Sequence, residues 1–383
     1  GLAPAALLLF GQVSLVGPLA NAVAIPLVSA VVTPLALLGA AVPLDAILPL
    51  AAWLAERMLE FLETCAALPF AVWQARVPPL WSVLLALAGV AWLLAPRGLP
   101  WRASGFALML PAFALPVPAP APGEAWITTL DVGQGLAVLV RTAGHALLYD
   151  AGPAFAGEGD AGERTVVPLL GASGVTRLDA VLLSHNDTDH TGGAMSVMEN
   201  VPTDELLSSL PASHPALALA VSLRRCVRGD AWEWDGVRFE MLGPGARDPP
   251  ARRENDSSCV LRVSAGPHAM LLAGDIERAG EVALEAHARQ RLRVAVLLAP
   301  HHGSRTSSSP EFVAATAPDW VVFSVGYRNR YRHPSREVLA RYLAAGARIA
   351  RTDFDGAVSV QLGAAGVTVE VERARRARYW RGI

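Results

Sequence analysis

Ala180-Val181-Leu182-Leu183-Ser184-His185-Asn186-Asp187-Thr188-Asp189-His190-Thr191-Gly192-Gly193 runs an apolar stretch directly into two imidazoles and two carboxylates. Ala180 to Ser184 fits a strand, and the polar cluster sits where that strand hands over to a loop. A His-x-Asp-x-Asp-His run offers two neutral nitrogens and two anionic oxygens, more than one four-coordinate metal takes from a single loop. Two adjacent metals would use them all. The alternative is a polar turn in which Asp189 or Thr191 caps a helix and Gly192-Gly193 permits the bend. Such a turn rarely carries two His and two Asp, so metal binding is the preferred reading.

Two further strands end in the same manner. Ala269 to Ala273 leads into Gly274-Asp275, and Val294 to Ala299 leads into Pro300-His301-His302-Gly303. In sheets flanked by helices, ligands bind beyond strand ends, where loops converge on a rigid scaffold. Asp275, His301 and His302 therefore join the candidates. Alone, Asp275 is more readily a turn residue, and residue order does not decide between His301 and His302. Other strands read at Trp126 to Leu130, Leu136 to Val140, Ala146 to Tyr149 and Trp320 to Val325, with helical patterns between several of them, so the class is α/β.

Tyr327-Arg328-Asn329-Arg330-Tyr331-Arg332-His333 mixes cations with aromatic planes, a composition for phosphates and unstacked bases as well as for a solvated loop. Arg328, Asn329, Arg330 and Tyr331 are the substrate candidates, with His333 a proton donor to a leaving group. Ser304 can hydrogen-bond a phosphate, although Ser304, Thr306, Ser307 and Ser308 read more simply as turn and cap residues before a helix at Pro310. Asp131, Gln134 and Asp150 either orient ligands from behind or form turns. His145, His214, His268 and His287 have no companions and read as exposed or structural. The basic tail from Arg373 to Arg381 reads as solvated, with DNA contact the alternative.

The apolar content of 52% is unevenly placed, since no Asp, Glu, Lys, Arg or His occurs before Asp45. That charge-free stretch is long enough for about two membrane spans of roughly 20 residues each, with Pro18, Pro26 and Pro34 as kinks and Gln12 and Asn21 facing protein or water. Ala51 to Trp73 spaces Glu56, Arg57, Glu60 and Glu63 among apolar residues as an amphipathic helix does. Leu80 to Ala95 and the shorter, Pro111-interrupted Phe106 to Leu115 add one span or two. If Arg97 and Arg102 mark the cytoplasmic side and the short run after them crosses, the chain is a multi-pass inner-membrane protein whose soluble domain is extracytoplasmic. The run beginning at Gly1 lacks a basic leader and a cleavage site, which argues against a signal peptide and for a piece of a longer membrane protein. Pro116 to Gly123 reads as an extended, semi-rigid linker. A net charge of −2 excludes a strongly basic protein, and every basic side chain is Arg rather than Lys. Cys65 lies in the membrane half, so Cys226 and Cys259 allow at most one disulfide in the soluble half, and that bridge is not expected.

Leu130-Asp131-Val132-Gly133-Gln134-Gly135, the run from Ser184 to Gly193, Gly274-Asp275 and Pro300-His301-His302-Gly303-Ser304 together resemble the C-terminal β-lactamase-like domain of ComEC-type competence proteins, the bacterial DNA-internalisation channel. Phe10-Gly11-Gln12-Val13-Ser14-Leu15 and Pro18-Leu19-Ala20-Asn21 resemble the last part of that family's membrane competence helices. Nearly the whole chain is covered, while the family's OB-like domain and most of its membrane helices are not. The resemblance implies membrane helices over residues 1–115, the linker at 116–123 and a metallo-β-lactamase αββα sandwich over 124–383. It also implies a dinuclear site: His185 and Asp187 on one metal, Asp189 and His190 on the other, Asp275 bridging, and His302 rather than His301 as the remaining ligand. Asp187 stands where the wider superfamily has His, and Asn255-Asp256-Ser257-Ser258 replaces an intermediate His. Oxygen in place of nitrogen makes Mn²⁺ as suitable as Zn²⁺ for the two divalent ions.

A pair of such ions acidifies a shared water, so hydrolysis is the expected chemistry, with Asp189 at its centre. The resemblance implies phosphodiester hydrolysis of the DNA strand that is not transported. The implied partners are DNA, single-stranded or being unwound, the lipid membrane and other components of an uptake apparatus. Two readings from other classes are an inert single-stranded-DNA-binding domain that feeds the channel and a small-molecule lactam or thioester hydrolase.

Overall fold

The computed structural model describes residues 2–375 except 43, 69, 75–77, 97, 99, 116, 158 and 247–252. Arg97 and the tail beyond Arg375 therefore lie outside the described residues. The chain divides into two compact units, Gly1–Val117 with Gly171–Gly174, and Pro118–Leu170 with Val175–Ile383.

In the first unit the charge-free stretch holds the helices Ala3–Phe10 and Gly17–Ala41. Gly17–Ala41 is continuous over 25 residues, and among the described residues it is the single helix long and apolar enough to cross a bilayer. Pro34 lacks the N–H that would bond one turn back, and the helix takes a wider π turn at Val28–Val32 directly before it. Gln12–Ser14 pairs antiparallel with Val72–Gln74, so the amphipathic helix, Ile47–Ala66, stops short of Trp73. Leu80–Leu94 spans 15 residues and Gly105–Ala114 only 10, both below the roughly 20 that a perpendicular crossing needs. These two helices cross where Gly89 meets Gly105: a Cβ on either would come within 2.5 Å of the other's carbonyl oxygen.

Among the described residues of the second unit, fifteen strands build two sheets. The first sheet holds β1 (Ala125–Thr129), β2 (Val138–Arg141), β3 (Ala146–Tyr149), β4 (Leu178–Leu183), β5 (Thr203–Ser208), β6 (Leu223–Arg225), β14 (Val358–Gly363) and β15 (Gly366–Val371), ordered β15-β14-β1-β2-β3-β4-β5-β6. The second holds β7 (Ala231–Trp234), β8 (Val237–Gly243), β9 (Val260–Ala265), β10 (His268–Leu272), β11 (Val296–Leu298), β12 (Trp320–Phe323) and β13 (Arg348–Arg351), ordered β13-β12-β11-β10-β9-β8-β7. Pairing from β3 through β6 and from β10 through β13 is parallel.

The two-residue period of a strand assigns the layers. Leu147, Tyr149, Ala180 and Leu182 point inward to meet Met241, Leu261, Met270 and Val296 of the other sheet. Leu148, Val181 and Leu183 point outward beneath Leu170 of α1 (Val167–Ala172) and Val197 of α2 (Ala194–Asn200). On the far side Leu271, Leu297, Val321 and Phe323 lie beneath Leu284, Phe312 and Tyr342 of α3 (Arg278–Leu292), α4 (Pro310–Thr316) and α5 (Arg336–Ala344). The result is the expected αββα sandwich. Because β10 and β11 are parallel neighbours, Asp275 and the His301-His302 pair emerge side by side, facing the loop that leaves β4.

Cys226 and Cys259 are bridged, contrary to the sequence expectation. Their backbone N–H groups donate to the Ser208 and Ser184 carbonyls, which brings two residues 33 positions apart into register. Closing a loop of this length removes unfolded-state entropy worth about 3–4 kcal/mol. Reduction should therefore lower the Tm of the second unit by roughly 6–15 °C. Superimposable melting curves with and without reductant would contradict this.

Candidate metal centre

Three strand ends bring His185, His190, Asp275 and His302 into one buried cluster, each at most 4% exposed. The ligand atoms of His185, His190 and Asp275 lie within 4.8 Å of one another, as do those of Asp189, His190 and His302. His190 Nε2 stands 3.1 Å from Asp275 Oδ1 and 3.2 Å from His302 Nε2, and His302 Nε2 stands 3.2 Å from Asp189 Oδ2. Asp187 is half exposed at 3.4 Å from His185 Nε2 and belongs to neither group. His301 occupies the rim: its Nε2 is 3.8 Å from Asp275, while its Nδ1 turns to Thr306 and Glu277.

The ring orientations are set from behind. Asp150, fully buried, accepts from the Ser184 N–H and hydroxyl and bonds His190 Nδ1 at 2.7 Å. Ser184 Oγ lies 3.0 Å from His185 Nδ1, and the Ser324 carbonyl lies 2.8 Å from His302 Nδ1. All three imidazoles thus have Nδ1 engaged and present Nε2 to the centre, the arrangement by which outer partners fix the tautomer of a metal-ligating His. His185 Nε2 and Asp275 Oδ1 are buried without a hydrogen bond of their own. Converging Nε2 atoms among carboxylates require positive charge between them, and this donor set of nitrogen and oxygen atoms fits a divalent ion such as Zn²⁺ or Mn²⁺.

The loops are shaped for this convergence. His301 and His302 adopt φ of 50° and 54°, and Gly303 follows at 79°. Left-handed backbone at consecutive non-glycine residues stores strain of about 1–3 kcal/mol each, and the strained turn aims both rings back across the strand end. Gly135 lets the Asp189 backbone approach, since a Cβ there would lie 2.4 Å from the Asp189 carbonyl oxygen that Leu136 N–H bonds. Ser258 Oγ accepts the Asp275 N–H, and Asp256 caps α3 through the N–H groups of Glu277 and Gly280. The Asn255-Asp256-Ser257-Ser258 turn thus braces the Asp275 loop. Gln134 Oε1 accepts the Gly326 N–H and Asp131 pairs with Arg373, so neither touches the cluster.

Charge follows from this packing. Burial works against ionisation, yet the Asp275 and Asp150 carboxylates hold His190 well above the ordinary imidazole range, and Asp275 and Asp189 raise His302. Burial would also raise Asp189, but the hydrogen bond from His302 and the charge of His190 bring it to about 2. Without a metal the His190 imidazole therefore keeps its proton, and a cation must displace it. Metal binding should release protons at pH 7 and tighten as pH rises. Calorimetric titration in two buffers of different ionisation enthalpy reads this directly, and identical heats would refute it.

His333 lies beside the rim, its ring 5.9 Å from that of His301 and stacked 5.7 Å from Tyr331. Burial and the charges of His302 and His301 lower it to about 4, so at pH 7 it is neutral and accepts a proton more readily than it donates one. A groove of 1310 Å³ opens there, lined by Ser304, Arg328, Asn329, Tyr331 and His333 among others. Asn329 commits its amide to the loop, donating to the Gly326 and His333 carbonyls and accepting the His333 N–H. Arg330 bonds the Tyr331 hydroxyl and lies over its ring. The sequence marks Thr306 only as a turn residue and gives no sign of Glu277, yet both hold His301. It gave His145 no companion, yet His145 bonds Asp235 at 3.0 Å and stacks on Trp234.

Residues 130–326 match the metallo-beta-lactamase superfamily and residues 1–100 the competence protein family. The chain is 41% identical to Competence protein ComA of Neisseria gonorrhoeae over 97% of its own length and 51% of that protein. It is 33% identical to the uncharacterized protein YcaI of Escherichia coli, over 99% of this chain and 49% of that one. It is 30% identical to ComE operon protein 3 of Bacillus subtilis, over 61% and 33% respectively. The chain thus spans about half the length of the first two relatives. With a divalent-metal fold behind a competence segment, the chain belongs to the metallo-beta-lactamase superfamily and is of the ComEC competence-protein type.

Proposed function

We propose that the second unit is a metal-dependent phosphodiesterase that cuts DNA during uptake, acting on the strand that is not transported. One observation carries this reading. Arg305, Arg328, Arg332 and Arg336 line a single groove with Ser304, Thr306 and His333, and none of the four forms an ion pair among the described residues. Unneutralised guanidinium groups gathered in a chain of net charge −2 favour a polyanion. Thr306 and His333 both adjoin His301, so the groove runs to the rim of the metal centre.

His185, His190, Asp275, Asp189 and His302 would hold two divalent ions, Zn²⁺ or Mn²⁺, with Asp187 and His301 at the margins. When bound, such ions supply a Lewis acid for a phosphoryl oxygen and acidify water. Asp189, ionised at neutral pH, orients the attacking water, and neutral His333 accepts a proton at the groove side. Ser304, Arg328 and Tyr331 contact the strand, with Arg330 and Asn329 shaping the loop that presents them. The protein resides as a multi-pass protein in the cell (inner) membrane, with its soluble domain extracytoplasmic. The Cys226–Cys259 bridge supports this side, because disulfides persist in oxidising compartments. DNA, lipid and other uptake components are its partners.

The test is cleavage of linear single-stranded DNA by the full chain in detergent with Mn²⁺, Zn²⁺ or chelator. Chelator-sensitive cleavage is expected. Tight DNA binding with neither metal nor cleavage would instead make the domain a binding module that feeds the channel, and turnover of a chromogenic lactam would make it a small-molecule hydrolase.

A further inference from the structure

The far wall of the groove is a turn that sequence reading left unremarked. Residues Thr352–Asp355, labelled α6, carry Phe354, which is 59% exposed although the turn around it is tightly held. Thr352 Oγ1 accepts the Val325 N–H and donates to the Val325 carbonyl. Val325 follows Ser324, the residue whose carbonyl orients His302, so the turn is fixed to the metal centre's own support. Arg373 donates to the Asp353 and Phe354 carbonyls. Arg351 forms a two-pronged pair with Asp353 at 3.0 and 2.7 Å, and its guanidinium lies 4.4 Å from the Phe354 ring centroid.

One face of the ring is thus backed by a planar cation that Asp353 has already neutralised, and much of the ring stays open. An isolated exposed apolar side chain needs no explanation. This one is not isolated: Tyr327 and Tyr331, 64% and 52% exposed, line the same groove, and each has an arginine against its ring. Rigid aromatic faces along a cationic groove are how proteins hold unstacked bases irrespective of sequence.

Resting on the phosphodiesterase reading above, we propose that Phe354 is a specificity-determining residue, a platform on which one base of a single strand stacks while a neighbouring phosphodiester reaches the metal centre. Arg351 and Asp353 are its positioning residues. A duplex, whose bases are already stacked, gains nothing from this face.

The experiment compares the full chain in detergent and its Phe354→Ala and Phe354→Trp variants on a single-stranded oligonucleotide and on one with an abasic stretch. Binding is read by fluorescence anisotropy and cleavage by KM and kcat. Phe354→Ala should raise KM for the intact strand about tenfold with little change in kcat, and Phe354→Trp should restore it. The unaltered chain should bind the abasic strand about tenfold more weakly than the intact one, a difference that Phe354→Ala should largely erase. If the unaltered chain acts on the strand but Phe354→Ala discriminates abasic from intact DNA equally well, the platform is refuted and the groove reading survives. If the unaltered chain neither binds nor cleaves DNA, the groove reading fails and the platform with it.

Discussion

Asp189→Asn is expected to lower the proposed metal-dependent DNA cleavage by more than about a hundredfold, because loss of a proposed direct ligand should exceed the 10–100-fold that follows loss of an outer partner. Asp189 is the carboxylate that brings negative charge to the His302 side of the centre, 3.2 Å from Nε2, and it is ionised far below neutral pH. The amide keeps its shape and removes its charge. Folding should be nearly untouched, since the side chain is 32% exposed and the bond that fixes the loop is made by the Asp189 carbonyl to Leu136 N–H, which Asn retains. Cleavage rates and far-ultraviolet circular dichroism, measured on the same preparation, separate the two effects. Undiminished cleavage would remove Asp189 from the site.

Asp150→Ala should have the largest effect on stability. Asp150 lies fully buried behind the ligands and satisfies the Ser184 N–H, the Ser184 hydroxyl and His190 Nδ1 together. Alanine leaves three buried donors unmatched and the His190 charge without its closest partner. Breaking a buried pair in this way costs about 3–5 kcal/mol. His190 would also lose the contact that directs its ring, so affinity for Zn²⁺ or Mn²⁺ should fall about 10–100-fold. Chemical denaturation of the metal-free protein reads the first effect and competition with a chromophoric chelator the second. A variant as stable as the parent and equally tight for metal would show that Asp150 only turns the chain after β3.

Both predictions concern residues the sequence exposes unequally. Asp189 is conspicuous within His185-Asn186-Asp187-Thr188-Asp189-His190, whereas Asp150 is one Asp at a strand end, where a turn explains it equally well. Its role depends on a contact with His190, 40 residues away. The Phe354 turn was invisible for the same reason: an aromatic residue between two Asp carries no local sign of sharing a groove with Tyr327 and Tyr331.

Strands were legible where both faces are buried. Ala146–Tyr149 and the core of β4 read as unbroken apolar runs because sheet packs on one side and helix on the other. Val237–Gly243 includes Arg238 and Glu240, and Gly366–Val371 alternates toward solvent at the edge of its sheet, so their patterns were diluted. The bridge between Cys226 and Cys259 depends on two loops meeting, which spacing does not encode. In the first unit, hydropathy showed which residues avoid charge but not where helices break: the Gly17–Ala41 helix runs through a π turn and continues past Pro18, Pro26 and Pro34.

By itself, then, the sequence determined what depends on neighbours along the chain: an α/β class, three strand ends bearing imidazoles and carboxylates, and an apolar leading segment. Tertiary structure alone decided which of those groups share a centre, because ligation requires atoms within a few ångströms drawn from strands of two different sheets. It placed His302 inside the cluster and His301 at its rim through a left-handed turn. It also assigned Asp150, Ser184 and Ser324 to hold the rings, since a buried imidazole takes its orientation from whatever partner packing puts behind it.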